Sequence, residues 1–503
     1  MRKLRNFQSK LKLPTVSVIF VLLTVLSMAA VGPSVYAVDN STIYYRVRPI
    51  YYQVASSSIG PNGVPGGIPF CETTTGIFLV CQAPTFLKKA YDFPTGAGAP
   101  TGAGQTILIA DAFLSPTIAN DLQTFDTLFG LPAPPSFTIL CPTTGCVTIN
   151  THSADQVGWG VEMSLDVEWA HAAAPGASIV LVSAASDNDV DLPVAEATAI
   201  SLYPGSVLSQ SFGIPEFTIK PSMFPGAVAQ PELNYVRAEG LHVTALAAAG
   251  DYGASWTAFG GDDVVHGSYP ATSPENLAVG GTMGDPYLSL TGPATCAKHA
   301  TCDTGLVVIN GGATGCTSSM TFAATSCYPV GYGGEQVWNE YPAIAAATGG
   351  APTVYFARPS WQYGPGVPTT SQYTGCPGST PCRLTDDVSL EAGVNGGVLV
   401  YTTFLGAPII FIVGGTSVAT PIWAGIIALL NQVHGSPVGF VNPAIYALAR
   451  SSKYSDAFHD ITVGDNNLPP TNVGFSAATG WDFPTGWGTP DVAHFLIDIQ
   501  PYL

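Results

Sequence analysis

Two carboxylates four residues apart, Glu162 and Asp166, stand in the run GVEMSLDVEWAHAAAP, and a serine, Ser417, stands in GGTSVATP. Spacing of four puts Glu162 and Asp166 on one face of a helix that is otherwise rich in Met163, Leu165 and Trp169. Ser417 follows a glycine turn and opens an apolar stretch, PIWAGIIALLNQ, which Gly435 and Pro437 stop. Pro421 fits such a helix only in its first turn, where N–H groups have no helical partner. A serine hydroxyl is a weak nucleophile at its own pKa and needs a neighbouring base. The chemistry of the chain therefore turns on which residue takes the Ser417 proton.

A strand–turn–helix carrying Gly-Thr-Ser-x-x-x-Pro on an α/β sheet resembles a subtilisin-type site, which needs Asp, His and Ser in that chain order. Asp111, at the end of TILIADAF, could supply the acid. The histidine is missing: no helix of small residues follows His152, and His171 lies deep in its own helix. Two adjacent carboxyls with little solvent raise one another's proton affinity. Such a pair can share one proton and act as a base at a pH where imidazole is already charged. Alone, a Glu-x-x-x-Asp pair reads as an acidic surface stripe; Ser417 and a third acid argue otherwise. That acid is Asp251 in AAAGDYG, at a strand end where α/β sheets meet ligands. Protonated, it could donate to a developing oxyanion.

These residues need a scaffold, and the pattern supplies one. TILIADAF, SIVLVSAA, SVLSQSFG and HVTALAAAGDYG read as buried strands. Between them DLQTFDTLFG, GVEMSLDVEWAHAAAP, VAEATAISLY and PELNYVRAEGL read as helices. The alternation predicts a doubly wound, mostly parallel α/β sheet. From about 285 to 385 the chain turns rich in Cys, Gly, Thr and Pro, which predicts loops and antiparallel strands inserted in the same domain. VLVYTTFLGAPIIFIVGG then returns to strand before Ser417.

Residues 1–37 read as a signal segment, with Arg2, Lys3, Arg5, Lys10 and Lys12 before an apolar run and Val35-Tyr36-Ala37 as a cleavage site. The run is long enough to leave an uncleaved anchor open as the alternative. No later segment reads as a membrane span. Residues 38–81, with GPNGVPGGIP, read as a short linker or strap. Ten cysteines fall as neighbours, Cys71/Cys81, Cys141/Cys146, Cys296/Cys302, Cys316/Cys327 and Cys376/Cys382, and predict local disulfides in an exported chain. Neither CxxC pairs nor nearby histidines support a metal at them. Sixteen Lys and Arg face 34 Asp and Glu, and five of the sixteen fall within the signal segment. That balance disfavours nucleic acid and anionic membranes as partners. In acid, when the carboxylates are neutral, the sparse positive charge leaves little self-repulsion.

KKAYDF, DVEWAHAAAPGA, SQSFG, AAAGDYG, YPATSPENLAVGGT, PSWQYG, LTDDVS and GGTSVATP together resemble the sedolisin family, the serine-carboxyl peptidases, over about residues 82–490. The resemblance implies a subtilisin-like fold, with Glu162 as general base, Asp166 as its partner, Ser417 as nucleophile and Asp251 as oxyanion donor. It places Phe212 of SQSFG near the non-prime substrate pockets, with core packing as the alternative. It also implies one structural Ca²⁺ site in FHDITVGDN and FSAATGWDFPTGWGTP. Asp460 and Asp482 give carboxylates there, and Ile461, Ala478 and Gly480 give carbonyls, a hard all-oxygen set. The family's usual glycine is Ala478 in this chain, which matters if the backbone there needs a positive φ. The family usually carries a large N-terminal prodomain, and only residues 38–81 stand between signal and domain. Activity after signal removal alone is therefore expected. The function implied is a secreted, monomeric, acid-active endopeptidase acting on proteins or peptides. A tripeptidyl-peptidase of the same family and a non-catalytic binding protein on the same fold are the alternatives.

Overall fold

The computed structural model describes residues 42–47, 49–55, 70–142, 145–220, 222–256, 264–284, 301–303, 307–310, 328–369, 381–470 and 473–503. The expected signal segment lies outside them. The strands read from apolar runs assemble as one eight-stranded sheet. Its centre is β4 (Thr106–Ala112), flanked in parallel by β6 (Ser178–Ala184) and β7 (Val207–Gln210). β5 (Phe137–Leu140) extends the sheet beyond β6. β8 (Thr244–Ala248) and β9 (Leu277–Gly284) extend it in parallel beyond β7. β10 (Glu335–Val337) and β11 (Val388–Glu391) both pair with β9, the first antiparallel and the second parallel. Strand order reverses across β4, so the ends of β4, β6 and β7 meet at a topological switch point, where such sheets place ligands. The expected doubly wound α/β architecture is present.

Two helices matter for the site. α3 (Ala154–Ala173), which follows α1 (Pro84–Ala90) and α2 (Ile118–Phe129), is capped by Ser153, whose hydroxyl accepts from the Gln156 N–H. From Trp159 onward every residue of α3 is buried, so it is a core helix with no solvent face. His171 packs in its last turn, with Nε2 2.8 Å from the Pro132 carbonyl and 3.1 Å from Asp126. It is structural, as the sequence reading held. α6 (Thr416–His434), coming after α4 (Asp191–Leu202) and α5 (Gln230–Gly240), crosses α3 at close range. A methyl on Gly425 would meet the Ala173 side chain at 2.4 Å.

Two expectations about α6 need correcting. The helix starts at Thr416, so Pro421 sits inside it, beyond the first turn. Pro421 has no N–H for the Ser417 carbonyl four residues earlier. That carbonyl faces the Ser211 hydroxyl instead, at 3.5 Å. The helix is also long and apolar enough to cross a membrane by length and composition, contrary to expectation, but it lies almost wholly inside the protein. It is a core helix.

The described residues between 42 and 81 do more than link. β1 (Ile50–Gln53) pairs antiparallel with β13 (Ile409–Gly414), in a five-stranded sheet with β12 (Gly397–Thr402), β2 (Phe70–Glu72) and β3 (Phe78–Gln82). VLVYTTFLGAPIIFIVGG thus folds as a hairpin of this second sheet rather than as a strand of the main one. The Cys71–Cys81 disulfide staples β2 to β3, and Cys141–Cys146 closes a loop. Cys382 is also disulfide-bonded, while its expected partner Cys376, Cys296 and the pair Cys316/Cys327 lie outside the described residues. The Cys-rich insertion contains an antiparallel set, Thr301–Asp303, Val307–Asn310 and Tyr328–Tyr332, as expected.

Candidate active site

α3, the ends of β4, β7 and β8, and the start of α6 converge on one buried cluster. Glu162 and Asp166 are fully buried. Burial pushes both carboxyls well above the usual range; Asp111 adds to both, Asp251 adds to Glu162 and Glu162 adds to Asp166. Asp166 Oδ1 accepts from the Ser211 hydroxyl at 2.8 Å. Both Glu162 oxygens and the second Asp166 oxygen are buried without a hydrogen-bond partner. Unsatisfied buried polar atoms are costly, and their persistence marks a place where structure yields to chemistry.

The nucleophile candidate lies against this pair. The Ser417 hydroxyl opposes the rise in the Glu162 pKa, as a neighbouring donor does. Its own bond runs to the Ser211 carbonyl at 3.4 Å, a long contact. The glycine turn that presents it has a conformational reason. Gly415 has φ +128°, and a Cβ on it would come within 2.7 Å of Asp251 Oδ2. Only glycine lets the chain pass Asp251 there.

Asp251 Oδ1 accepts from both the N–H and the hydroxyl of Thr416, each at 2.8 Å. Burial raises its pKa to about 6, against the opposing pull of those two bonds. Below that pH Asp251 is a neutral acid with an O–H to give. The structure thus brings together all four residues singled out in the sequence, Glu162, Asp166, Asp251 and Ser417. His152 is exposed in a loop and takes no part.

Comparisons with known proteins bear on the fold and the family. A model of the subtilase family matches residues 144–488. Kumamolisin from Bacillus sp. (strain MN-32) is 31% identical over 424 residues, covering 83% of this chain and 63% of that protein. Sedolisin from Pseudomonas sp. (strain 101) is 29% identical, covering 82% of this chain and 60% of sedolisin. The solved structure of Pseudomonas sedolisin, a serine-carboxyl proteinase complexed with two molecules of pseudo-iodotyrostatin, matches with a TM-score of 0.62 at 27% identity. It covers 84% of this chain and 99% of the other. The chain belongs to the sedolisin family of subtilases. It spans less than two thirds of the length of these two relatives.

A third carboxyl, Asp111, joins the Glu162 and Asp166 pair. Asp111 was considered only as the acid of a histidine triad. It sits at the end of β4 with both oxygens buried and unpartnered, its pKa raised to about 8 by burial. It bears electrostatically on both Glu162 and Asp166. The signal was its position at the end of the central strand, beside the switch point. Ser211 and Thr416 were also missed as the donors that orient Asp166 and Asp251, although both lie inside motifs already singled out. Phe212 is buried, edge-on to Tyr45 at 5.1 Å and tilted against Trp159 at 6.0 Å.

The two carboxylates of the expected calcium loop lie close enough to act on one another. Asp460 accepts from the Gly480 N–H at 3.0 Å and from the Tyr454 hydroxyl at 3.0 Å. Asp482 accepts from the Ala478 N–H at 2.8 Å and from Thr485. Burial raises Asp482 to about 7, and Asp460 adds to the rise. Two acids pressed together in this way fit a hard cation. Ala478 is not among the described residues with positive φ, whereas Gly480 has φ +79°, so alanine at 478 is no obstacle. Among the described residues no cluster of three or more His, Cys, Asp or Glu side chains forms a metal group. A cation here would rely on Asp460, Asp482 and the carbonyls of Ile461, Ala478 and Gly480.

Proposed function

We propose that this chain is a secreted, acid-active serine-carboxyl endopeptidase working through a Ser417 acyl-enzyme. The observation that carries this reading is a serine after a positive-φ glycine turn, beside Glu162 of an enclosed three-carboxyl cluster, with a fourth carboxyl held by Thr416. The working form carries one negative charge shared over the Glu162, Asp166 and Asp111 carboxyls, and with that charge on it Glu162 takes the Ser417 proton as Oγ attacks the scissile carbonyl carbon. Asp166 and Asp111 hold the remaining protons of the cluster, and Ser211 keeps Asp166 in place. The carbonyl oxygen gains charge and receives a hydrogen bond from protonated Asp251. Collapse breaks the C–N bond, and Glu162 returns its proton to the leaving amine. Water, deprotonated by Glu162, then releases the acid product and restores Ser417.

Substrates are proteins or peptides bound extended; nucleic acid and membrane lipid have no part in this reading. The endopeptidase mode, rather than tripeptidyl removal, follows the likeness to sedolisin, whose solved form is called a proteinase. A bound Ca²⁺ would cross-link the Asp460 and Asp482 loops and stabilise them without entering the reaction. The secreted enzyme acts as a monomer after its signal, residues 1–37, is removed. The test is labelling of Ser417 by a peptide aldehyde at about pH 4, together with cleavage of an N-terminally blocked peptide. Labelling lost in Ser417→Ala and cleavage of the blocked peptide are expected. Failure to label overturns the enzyme, and cleavage of free-amine peptides alone overturns the endopeptidase.

A further inference from the structure

Asp251 is held from two sides. On one, the N–H and hydroxyl of Thr416 fix its carboxyl. On the other, the segment 347–350 runs beside the main chain of the loop that carries it, with Tyr252 bridged to Ala347. The Gly349 N–H donates to the Gly250 carbonyl at 2.8 Å, and the Ala347 N–H donates to the Asp251 carbonyl at 3.1 Å. The Ala347 carbonyl accepts from the Gly253 N–H at 3.0 Å, so three backbone bonds span Asp251. The fit leaves no slack: a Cβ on Gly349 would sit 2.1 Å from the Ala249 carbonyl oxygen. Where 347–350 goes, the backbone of Asp251 must follow.

That segment is itself held by a buried asparagine far along the chain. Between Asp460 and Asp482 the chain folds back on itself, with Asp465 opposite Ser476 and Leu468 opposite Val473. Asn466, in the first arm, is wholly buried. Its Nδ2 donates to the Gly349 carbonyl and, at 3.1 Å, to the Gly350 carbonyl. Its Oδ1 accepts from the Phe475 N–H in the opposite arm at 2.8 Å. Two donors and an acceptor are thus all in use, a match that an amide side chain makes and a hydroxyl or carboxylate does not. The Asn466 carbonyl also abuts the Asp251 loop, since a Cβ on Gly253 would come within 2.5 Å of its oxygen. Asn339 steadies the same arm, its Nδ2 donating to the Asp465 carbonyl at 3.0 Å and to the Asn467 carbonyl at 2.9 Å.

We infer that Asn466 is a positioning residue for Asp251, fixing through 347–350 the place from which the oxyanion donor reaches the scissile carbonyl. The inference rests on the proposed peptidase reading for the role of Asp251. A donor has to stand within about 3 Å of the developing oxyanion, and small misplacements of catalytic groups are costly. Among the groups around Asp251, Glu162 on α3 interacts with it electrostatically, α6 meets it with Thr416, and the segment 347–350 is uncharged. Loosening the tie admits water to Asp251 and brings its proton affinity down toward that of an ordinary carboxyl.

The experiment joins a double-mutant cycle to hydrogen exchange on the full chain. Asn466→Ala should lower kcat on a blocked peptide by about tenfold or more with KM unchanged. It should also move the alkaline limb of the pH–rate profile to lower pH. In an Asp251→Ala background the same change should alter kcat by less than about twofold, because the donor it serves is gone. Asn466→Asp keeps the acceptor for Phe475 and, while its new carboxyl is protonated, one O–H for the glycine carbonyls. It should recover activity at the acid end of the profile and lose it as pH rises. In a Ser417→Ala background the Ala347 and Gly349 amides should exchange slowly, and Asn466→Ala should speed both by about tenfold or more. If Asn466→Ala does not fold, Asn466→Asp at the upper end of the working pH range replaces it in the cycle and in the exchange. Unchanged exchange overturns the tie whatever the activity. Equal loss of kcat in both backgrounds, or loss in neither, overturns the positioning role. Faster exchange in a variant whose parent cleaves no peptide keeps the tie and overturns the peptidase reading instead.

Discussion

Glu162 and Glu335 are both buried glutamates, and their surroundings are opposites. Glu335 receives four hydroxyls, from Tyr91 at 2.5 Å, Thr282 at 2.6 Å, Thr489 at 2.5 Å and Tyr332 at 3.0 Å. They come from the residue that ends α1, from β9, from Thr489 near the C-terminus and from the strand Tyr328–Tyr332, so one carboxyl ties together distant parts of the chain. Neither Glu162 oxygen has a close hydrogen-bond partner, only the Ser417 hydroxyl nearby, and three acids, Asp111, Asp166 and Asp251, interact with it electrostatically. A fully paired carboxyl rigidifies a core; an unpaired one, beside a nucleophile, is free to exchange a proton. Burial alone does not distinguish structural from chemical acids. Pairing does.

Substitution should separate the two sharply. Glu162→Gln should lower kcat on the order of 10⁴-fold, as loss of a general base does, while the melting temperature at pH 4 holds or rises. Loss of stability with activity retained would reverse the assignment. Asp251→Ala should lower kcat on the order of 10²–10³-fold, the effect of one oxyanion donor. With its pKa at about 6, wild-type activity should fall as pH rises through that value, because the donor loses its proton. Asp251→Asn cannot ionise and should lose that alkaline limb; a limb unchanged in the pH–rate profile would assign it to another group. Glu335→Gln should leave kcat/KM unchanged yet cost about 2–3 kcal/mol in denaturant unfolding, since hydroxyl donors lose acceptors. The smallest effect concerns the loop of Asp460 and Asp482. Chelator should lower the melting temperature by a few degrees, and Asp460→Ala should abolish that response.

Local signals carried much of this arrangement. The four-residue spacing put Glu162 and Asp166 on one helix, and apolar runs marked β4, β6, β7 and β8 in their true places. The glycine turn before Ser417 was legible because a positive φ demands glycine there. What escaped were relations between distant segments. Nothing local in IYYRVRPIYYQ says that Arg46 bridges Gly213 or that Ile50 faces Gly414, since such pairing is decided by register across hundreds of residues. Pro421 was placed by helix-interior rules, which a hydroxyl from Ser211 relaxes. Asp111 looked like a triad acid because its role depends on what faces it, and a strand end does not reveal that.

Several carboxyls outside the catalytic cluster share its elevated pKa. Burial raises Glu196 to about 8 and Glu232 to about 7, and pushes Glu168, Asp386 and Glu391 well above the ordinary range. In the unfolded chain these groups release their protons near pH ~4. The native state therefore binds more protons than the unfolded one from about pH 4 up to about 8, and stability falls as pH rises through that interval. The hydrogen ion behaves in this fold as a bound ligand taken up at many sites on folding. Neutralising the medium withdraws it, so the same rise in pH that would silence the proposed activity also destabilises the fold.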